Sequence, residues 1–386
     1  MSTEGEYDCI VIGAGVQGSF TAHELVKKKQ RTLLLEQFIL PHTRGSSHGQ
    51  TRIIRKAYEL DFYTQLMHES YEMWAQLESE SGVKLQTGLL VLGPEDSHSY
   101  QMFKSTLQKN KIPSVALTPD NFNQHIPHFN LTEGDEAVVD IKAGVLFADR
   151  ALRTAQRQFE KLGGIIRDKE KVIDIKPGPV VTVSTTAGVY QAKSVVITAG
   201  PWANKLLAHT GLQLPLQVTK INVCYWKEKV PGSYSVNKRF PSFLQLDSKE
   251  TMDHIYGLPS QEYPGLMKIC LHTGSPTDPD QRDKQTDRSD IDILRRYITR
   301  CIPGLHPEPA VVESCMYTVT PDSHFVLDCH PEHRNIVIGA GFSGHGFKFG
   351  PIIGKLLSEL SLGQVPSFDL SPFRIRRFQG QTKSAL

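Results

Sequence analysis

The N-terminal run Gly13-Ala-Gly15-Val16-Gln17-Gly18 is entered directly from the apolar stretch Tyr7-Asp-Cys-Ile-Val-Ile12. Glycines at that spacing serve three purposes. The first permits a tight turn, the second lets backbone N–H groups approach a pyrophosphate, and the third lets a helix pack closely on the strand. The helix N-terminus then faces the phosphates. A second apolar stretch, Thr32-Leu-Leu-Leu35, ends at Glu36. An acidic side chain at that remove accepts hydrogen bonds from an adenosine ribose. The pattern predicts a dinucleotide ligand and leaves NAD and FAD undistinguished.

Four further segments carry chemistry. In Arg44-Gly-Ser-Ser-His-Gly-Gln-Thr51-Arg52-Ile-Ile-Arg55, two arginines follow a glycine- and serine-rich loop. Their guanidinium forks suit a carboxylate or a phosphate, or else make surface ion pairs. Gly341-Phe-Ser-Gly344-His-Gly346-Phe-Lys348 opens the last helix. Its glycines let backbone approach a flat ring, and the helix terminus favours the negative charge of a reduced flavin. A plain glycine loop with a surface lysine is the alternative. Cys315, in Glu313-Ser-Cys-Met-Tyr317-Thr318, reads from its neighbours alone as a small buried hydrophobe. Lys268, inside Gly-Leu-Met-Lys-Ile-Cys-Leu271 and downstream of Tyr256-Gly-Leu-Pro, either points to solvent or sits in a cleft. In a cleft its charge would stabilise an oxygen anion.

The elements that must position these residues recur along the chain. Residues 7–36 read as strand–helix–strand, and Asp61 as the N-cap of a helix whose inner face carries Tyr63, Leu66, Met67, Tyr71, Trp74 and Leu77. Short β segments follow at 171–175, 180–183, 189–192 and 194–200, the last halted by Gly200-Pro-Trp202. Asn335-Ile-Val-Ile338 runs into Gly339-Ala-Gly341, and a helix from Phe347 to Leu362 ends at Gly363. Nucleotide-binding elements thus occur at the start, middle and end. The expected class is α/β, with one domain (1–85, 146–216 and 320–386) interrupted by an α+β second domain (86–145 and 217–319). That second domain holds strands at 221–226 and 267–271, and a charged loop over 276–292.

At 386 residues the chain can bury two substantial cores. With 43 basic and 41 acidic side chains it offers no electrostatic case for nucleic acid or an anionic membrane. Arg374-Ile-Arg376-Arg377 reads as a solvated face. No apolar run is long enough to span a bilayer. The N-terminus lacks the basic and apolar regions of a secretory signal. The six cysteines are scattered with no CxxC, as expected of reduced thiols and not of a zinc site; no metal is expected. The chain ends Ser384-Ala385-Leu386, which lacks the central basic residue of the peroxisomal Ser-Lys-Leu address.

Over nearly its whole length the chain resembles the monomeric sarcosine oxidase family and its peroxisomal members. The segments that carry the resemblance are Arg44–Arg55, Ile197-Thr-Ala199-Gly200-Pro-Trp202, Ser314–Thr318 and Gly339–Lys348. The resemblance implies a Rossmann-like FAD-binding domain with an inserted mixed-sheet substrate domain. It implies FAD joined covalently to Cys315 through the flavin 8α carbon. Gly13, Gly15, Val16, Gln17, Gly18, Glu36, Gln37, Arg44, Ser46, Thr51, Val172, Ala199, Gly200, Trp202, Gly341, Gly344, Gly346 and Lys348 would contribute to cofactor binding. Arg55 and Lys348 would hold an amino-acid carboxylate, with Tyr256, His272 and Tyr317 on the substrate side. Lys268 would activate oxygen, and Arg52 would lie by the flavin ring.

The implied reaction oxidises a secondary amino acid (sarcosine, L-pipecolate or L-proline) with O2, giving H2O2 and an imine that hydrolyses. A dehydrogenase of similar fold that passes electrons to another acceptor is the alternative. A monomer is expected, in the peroxisome through an import receptor or otherwise in the cytoplasm, with no nucleic-acid or membrane partner.

Overall fold

The computed structural model describes residues 6–378. The N-terminal stretch read against a secretory signal lies almost wholly outside them, and Ser384-Ala385-Leu386 entirely so. The chain divides into two compact units, Met1–Gly49, Asp149–Val218 and Met316–Leu386 in one, Gln50–Ala148 and Thr219–Cys315 in the other. By compactness residues 50–85 go with the second unit. Strand Thr51–Ile54 pairs with Gly144–Phe147, which also pairs with Lys84–Leu85, so these residues close a small sheet of their own.

The first unit is built on a sheet in the order Val172–Lys176, Val181–Thr185, Val189–Ile197, Tyr7–Ile12, Thr32–Leu35, Ile165–Arg167. Tyr7–Ile12 is central and parallel to both neighbours, and from Cys9 to Ile12 it is apolar and buried on both faces, as a strand covered by helices must be. The β segments read separately at 189–192 and 194–200 are one strand, Val189–Ile197. Its first half pairs antiparallel with Val181–Thr185 and its second half parallel with Ile336–Ala340, so it belongs to two ladders in succession. Tyr7, Ile10, Ile12, Leu33, Val195, Ile197, Ile336 and Ile338 lie in the core of this unit.

Helix Val16–Lys27 packs on helix Gly350–Ser361 at a separation only glycine permits. A Cβ on Gly354 would stand 2.6 Å from the Phe20 carbonyl carbon, and one on Gly350 would stand 2.7 Å from Val16 Cγ2. The last helix does not start at Phe347. A 3-10 turn over Phe347–Phe349 precedes it, and Gly363 (φ +66°) stops it.

The second unit holds a sheet in the order Ser275–Pro276, Gln217–Glu228, Leu266–Leu271, Ile255–Tyr263, Ser242–Gln245, Leu89–Pro94, Asp135–Asp140, Ser114–Leu117, with Leu305–Val319 also paired to Gln217–Glu228. Helix Ser289–Cys301 packs Leu294, Tyr297 and Ile298 with Trp226, Phe243 and Met267. Helix Asp61–Ser81 starts one residue earlier than expected. Leu60 is the N-cap, and Asp61 forms an ion pair with Lys109 at 3.0 Å instead of capping.

Candidate cofactor and active site

In the first unit the glycine turn is tight because it must be. Gly13 has φ +101°, and a Cβ there would meet the Thr198 carbonyl oxygen at 2.6 Å. A Cβ on Gly18 would lie 1.9 Å from the Gly13 oxygen, so the helix rests directly on the turn. Gly15 differs, because its Cβ would meet only Ser47 Oγ, at 3.1 Å. Its openness leaves approach to the helix terminus free. Ser47 Oγ accepts the Val16 N–H at 3.0 Å, and the helix has no acidic side chain in its first turn.

Glu36 ends its strand buried. One oxygen accepts the Ala14 N–H and the other the Phe38 N–H, each at 3.0 Å. Its carboxylate thus ties the turn to its own loop and keeps further acceptor capacity for a ribose. Gln17 Nε2 donates to the Gly346 carbonyl at 3.0 Å, locking the glycine turn to the second glycine segment. Gln17 Oε1 is buried with no partner. Ser343 secures that segment. Its N–H donates to the Thr318 carbonyl at 2.9 Å, and its Oγ to the Gly341 carbonyl at 3.1 Å. Lys348 Nζ donates to the His345 carbonyl at 3.2 Å.

Trp202 follows Ala199 and Gly200 in a buried turn, edge-on to Phe38 at 5.4 Å. Val172 is buried in its strand. Gln37, Arg44, Ser46 and Tyr317 are partly buried. An open glycine and a helix terminus with no acidic side chain in its first turn fit the diphosphate-bearing end of a dinucleotide.

In the second unit Lys268 is not a solvent-facing lysine. It is buried, and Nζ donates to Glu262 Oε1 at 3.0 Å. Register explains the pairing. Tyr225 stands directly opposite Lys268 on the neighbouring strand and shares its face, with Nζ 5.7 Å from the ring centroid. On the other side the ladder slips between Leu258 and Tyr263, and the extra residues carry Glu262 in toward Lys268.

Thr51 links this pair to Arg52. Its carbonyl accepts from Arg52 Nη1 at 2.8 Å and from Lys268 Nζ at 3.5 Å, while its hydroxyl donates to Glu262. Burial alone would raise the Glu262 carboxyl. The Lys268 charge, with donors from Thr51 and Tyr225, outweighs burial and holds it below its usual range.

Arg55 lies with its guanidinium 4.4 Å from the Tyr58 ring centroid and 5.5 Å from that of Phe103, a stacked and well-oriented cation. Tyr256 meets the His272 ring edge-on at 6.1 Å, and His272 stacks with His254 at 6.3 Å. Burial keeps His254 below the ordinary imidazole value, with Arg55 pushing the same way and Glu59 opposing. Cys315 is buried in strand Leu305–Val319. All six cysteines are free thiols, and the described residues contain no group of three metal-capable side chains. No helix among the described residues is long and apolar enough to cross a membrane. The sequence reading missed Glu262, Tyr225, Glu313 and Ser47. Ser47 and Glu313 stand in quoted segments but were given no role there, and only the register slip brings Glu262 to Lys268.

Residues 8–360 match the family described as FAD dependent oxidoreductase. The chain is 54% identical over 385 residues to the peroxisomal sarcosine oxidase of Homo sapiens, covering 98% of each chain. It belongs to the FAD-dependent oxidoreductases, among the sarcosine oxidases. It is also 37% identical to the monomeric sarcosine oxidase of a Bacillus species, covering 98% of this chain and 97% of that one. Among solved structures, an amino acid oxidase of nikkomycin biosynthesis superposes with a TM-score of 0.84 at 23% identity, covering 96% of this chain and 97% of that one. An L-proline dehydrogenase from P. horikoshii superposes at 0.83 and 22% identity, covering 99% of both. These two show the fold, an α/β architecture with a mixed second sheet.

Proposed function

We propose that the protein is a monomeric, flavin-dependent oxidase of secondary amino acids such as sarcosine, L-pipecolate or L-proline, with O2 as electron acceptor. The observation that carries the choice of oxygen is Lys268, a cation held buried beside Arg52 through the Thr51 carbonyl. Gly13, Gly15, Val16, Gln17 and Gly18 take the pyrophosphate, and Glu36 takes the ribose. Gln37, Arg44, Ser46, Thr51, Val172, Ala199, Gly200, Trp202, Gly341, Gly344 and Gly346 complete the binding surface, and Cys315 Sγ would hold the flavin through a thioether. FAD supplies the two-electron chemistry.

The chain's own residues do the rest. Arg55, oriented by Tyr58 and Phe103, binds the substrate carboxylate, as does Lys348. Tyr256, His272 and Tyr317 orient the amine, which must present its lone pair unprotonated to lose a proton and two electrons from its N–CH unit. Arg52 stabilises negative charge on the flavin ring, and Lys268 stabilises the negative charge that develops on oxygen. Water then hydrolyses the released imine. Production of H2O2 favours a peroxisomal location, with Ser384-Ala385-Leu386 read by the import receptor.

Substrate-dependent peroxide release is the test. The wild-type chain should release one H2O2 per turnover from at least one of the three substrates, and Lys268→Met should slow reoxidation by about 10²-fold or more while anaerobic reduction is largely kept. Turnover with artificial acceptors but without oxygen uptake would instead favour the dehydrogenase. Cys315→Ala should release all flavin on acid precipitation, where the wild type retains it.

A further inference from the structure

Beyond Lys268 the second unit contains a line of buried polar groups that the reaction above does not use. Glu262 Oε1 accepts from Lys268, and Glu262 Oε2 accepts from Tyr225 Oη at 2.7 Å. Tyr225 Oη lies 3.4 Å from Glu313 Oε2, and Glu313 Oε1 accepts from Tyr263 Oη. The Tyr225 and Tyr263 rings meet edge-on at 4.8 Å, which fixes both hydroxyls. The line runs from the fully enclosed Lys268–Glu262 pair, with side chains 6% and 5% exposed, to the half-buried Glu313.

Tyr225 sets an accounting problem. It has one hydroxyl proton and two carboxyl groups in reach. That proton can satisfy Glu262 or Glu313, and the second contact is satisfied only when the other carboxyl itself carries a proton. Burial and the two neighbouring carboxylates hold the Tyr225 phenol far above its ordinary value, so it stays a hydroxyl and passes protons without ionising. The groups around Lys268 and Glu262 are Thr51 from one strand, with Arg52 on its carbonyl, Tyr225 from a second, with Glu313 of a third beyond it, and Tyr263 and Cys270 from the hairpin itself.

We propose that Glu262 is the positioning residue for Lys268, and that Tyr225 connects it to Glu313 as the route by which a proton returns to the Lys268 amine. The proposal rests on the reading that Lys268 acts at oxygen. When Lys268 gives a proton to reduced oxygen, its amine must regain one. Solvent protonates Glu313, Glu313 gives that proton to the Tyr225 oxygen, and Tyr225 gives its own to Glu262. Glu262 then passes it to Lys268 Nζ. One proton moves from water to the amine, and the two carboxylates and the phenol end as they began.

The test uses the flavin-loaded enzyme, reduced with dithionite and mixed with O2 across a pH series. Glu262 is the carboxylate in contact with the Lys268 ammonium, and its charge favours the protonated amine. Glu262→Gln should therefore move the alkaline limb of the reoxidation profile down by about 1 to 3 pH units, with Glu262→Asp restoring most of it. Tyr225→Phe should leave the limb in place and slow reoxidation about tenfold or more. As a readout independent of turnover, the urea midpoints of Glu262→Gln, Lys268→Met and the double variant should be non-additive, the double falling less than the sum of the two.

An additive cycle, or a Glu262→Gln profile lowered equally at every pH, overturns the positioning role. A Tyr225→Phe enzyme that reoxidises at the wild-type rate overturns the route. Lys268→Met reoxidising normally overturns the underlying reading instead, and so separates the two failures.

Discussion

Gly15 and Gly18 belong to one motif, yet the structure gives them opposite sensitivities. A Cβ at residue 18 would fall 1.9 Å from the Gly13 backbone oxygen, an atom that cannot yield without opening the turn. At residue 15 the nearest atom is the end of the Ser47 side chain, at 3.1 Å. Gly18→Ala is therefore expected to destabilise the fold by ~1–3 kcal/mol or more, seen as a lost soluble yield or a lowered Tm. Gly15→Ala should fold with a near-native Tm but carry less flavin, read from the ratio of visible to ultraviolet absorbance. Equal Tm losses in both would remove the distinction. Both glycines and Glu36 are legible in the sequence because their function depends on neighbours close along the chain. Glu262 is not, because its position depends on a slipped ladder between Leu258 and Tyr263, and no local pattern announces a slip. The same holds for Asp61, where a capping residue type stands one place inside the helix and pairs with the distant Lys109.

At the scale of elements, the contact between helices Val16–Lys27 and Gly350–Ser361 inverts a helix rule. Glycine inside a helix costs about 1 kcal/mol against alanine, so Gly354→Ala in isolation would stabilise. Here the new Cβ would press on the Phe20 backbone at 2.6 Å, and the helices would have to separate. The expected result is a net loss of ~1–3 kcal/mol and a lower Tm. A raised Tm would show that the contact relaxes freely. The apolar face of this last helix was readable from Ile352, Ile353, Leu356, Leu357 and Leu360, all of them buried. Its 3-10 entrance was not, since the apolar period runs unbroken through Phe347 and Phe349. The joining of 189–192 and 194–200 into one strand was hidden for a related reason. Two ladders of opposite direction share it, and each half carries the pattern of its own partners.

At the scale of the whole molecule, a net charge of only +2 gives no large self-repulsion to be released by changing pH, so acid sensitivity must come from individual groups. Burial leads in holding His68, His254, His324 and His330 below the ordinary imidazole value of 6.5. Unfolding lets all four titrate at that ordinary value. Between the folded and unfolded values the unfolded chain binds more protons. The stability these groups contribute is therefore complete above 6.5 and is lost as pH falls from there through the lower folded values. Glu262, depressed from 4.5, begins to contribute in the same direction only at more acidic pH. The buried carboxyls of Asp135, Asp140 and Asp290 are raised by burial and act in the opposite sense, favouring the folded state as pH falls. A bare pH–stability curve mixes these signs, so a difference measurement is needed. Glutamine at residue 254 does not titrate. The Tm of the wild type minus that of His254→Gln should therefore fall steadily between pH 7.5 and 5.5, about the ordinary imidazole range. A difference independent of pH would mean that His254 takes up its proton as readily in the folded chain as in the unfolded one.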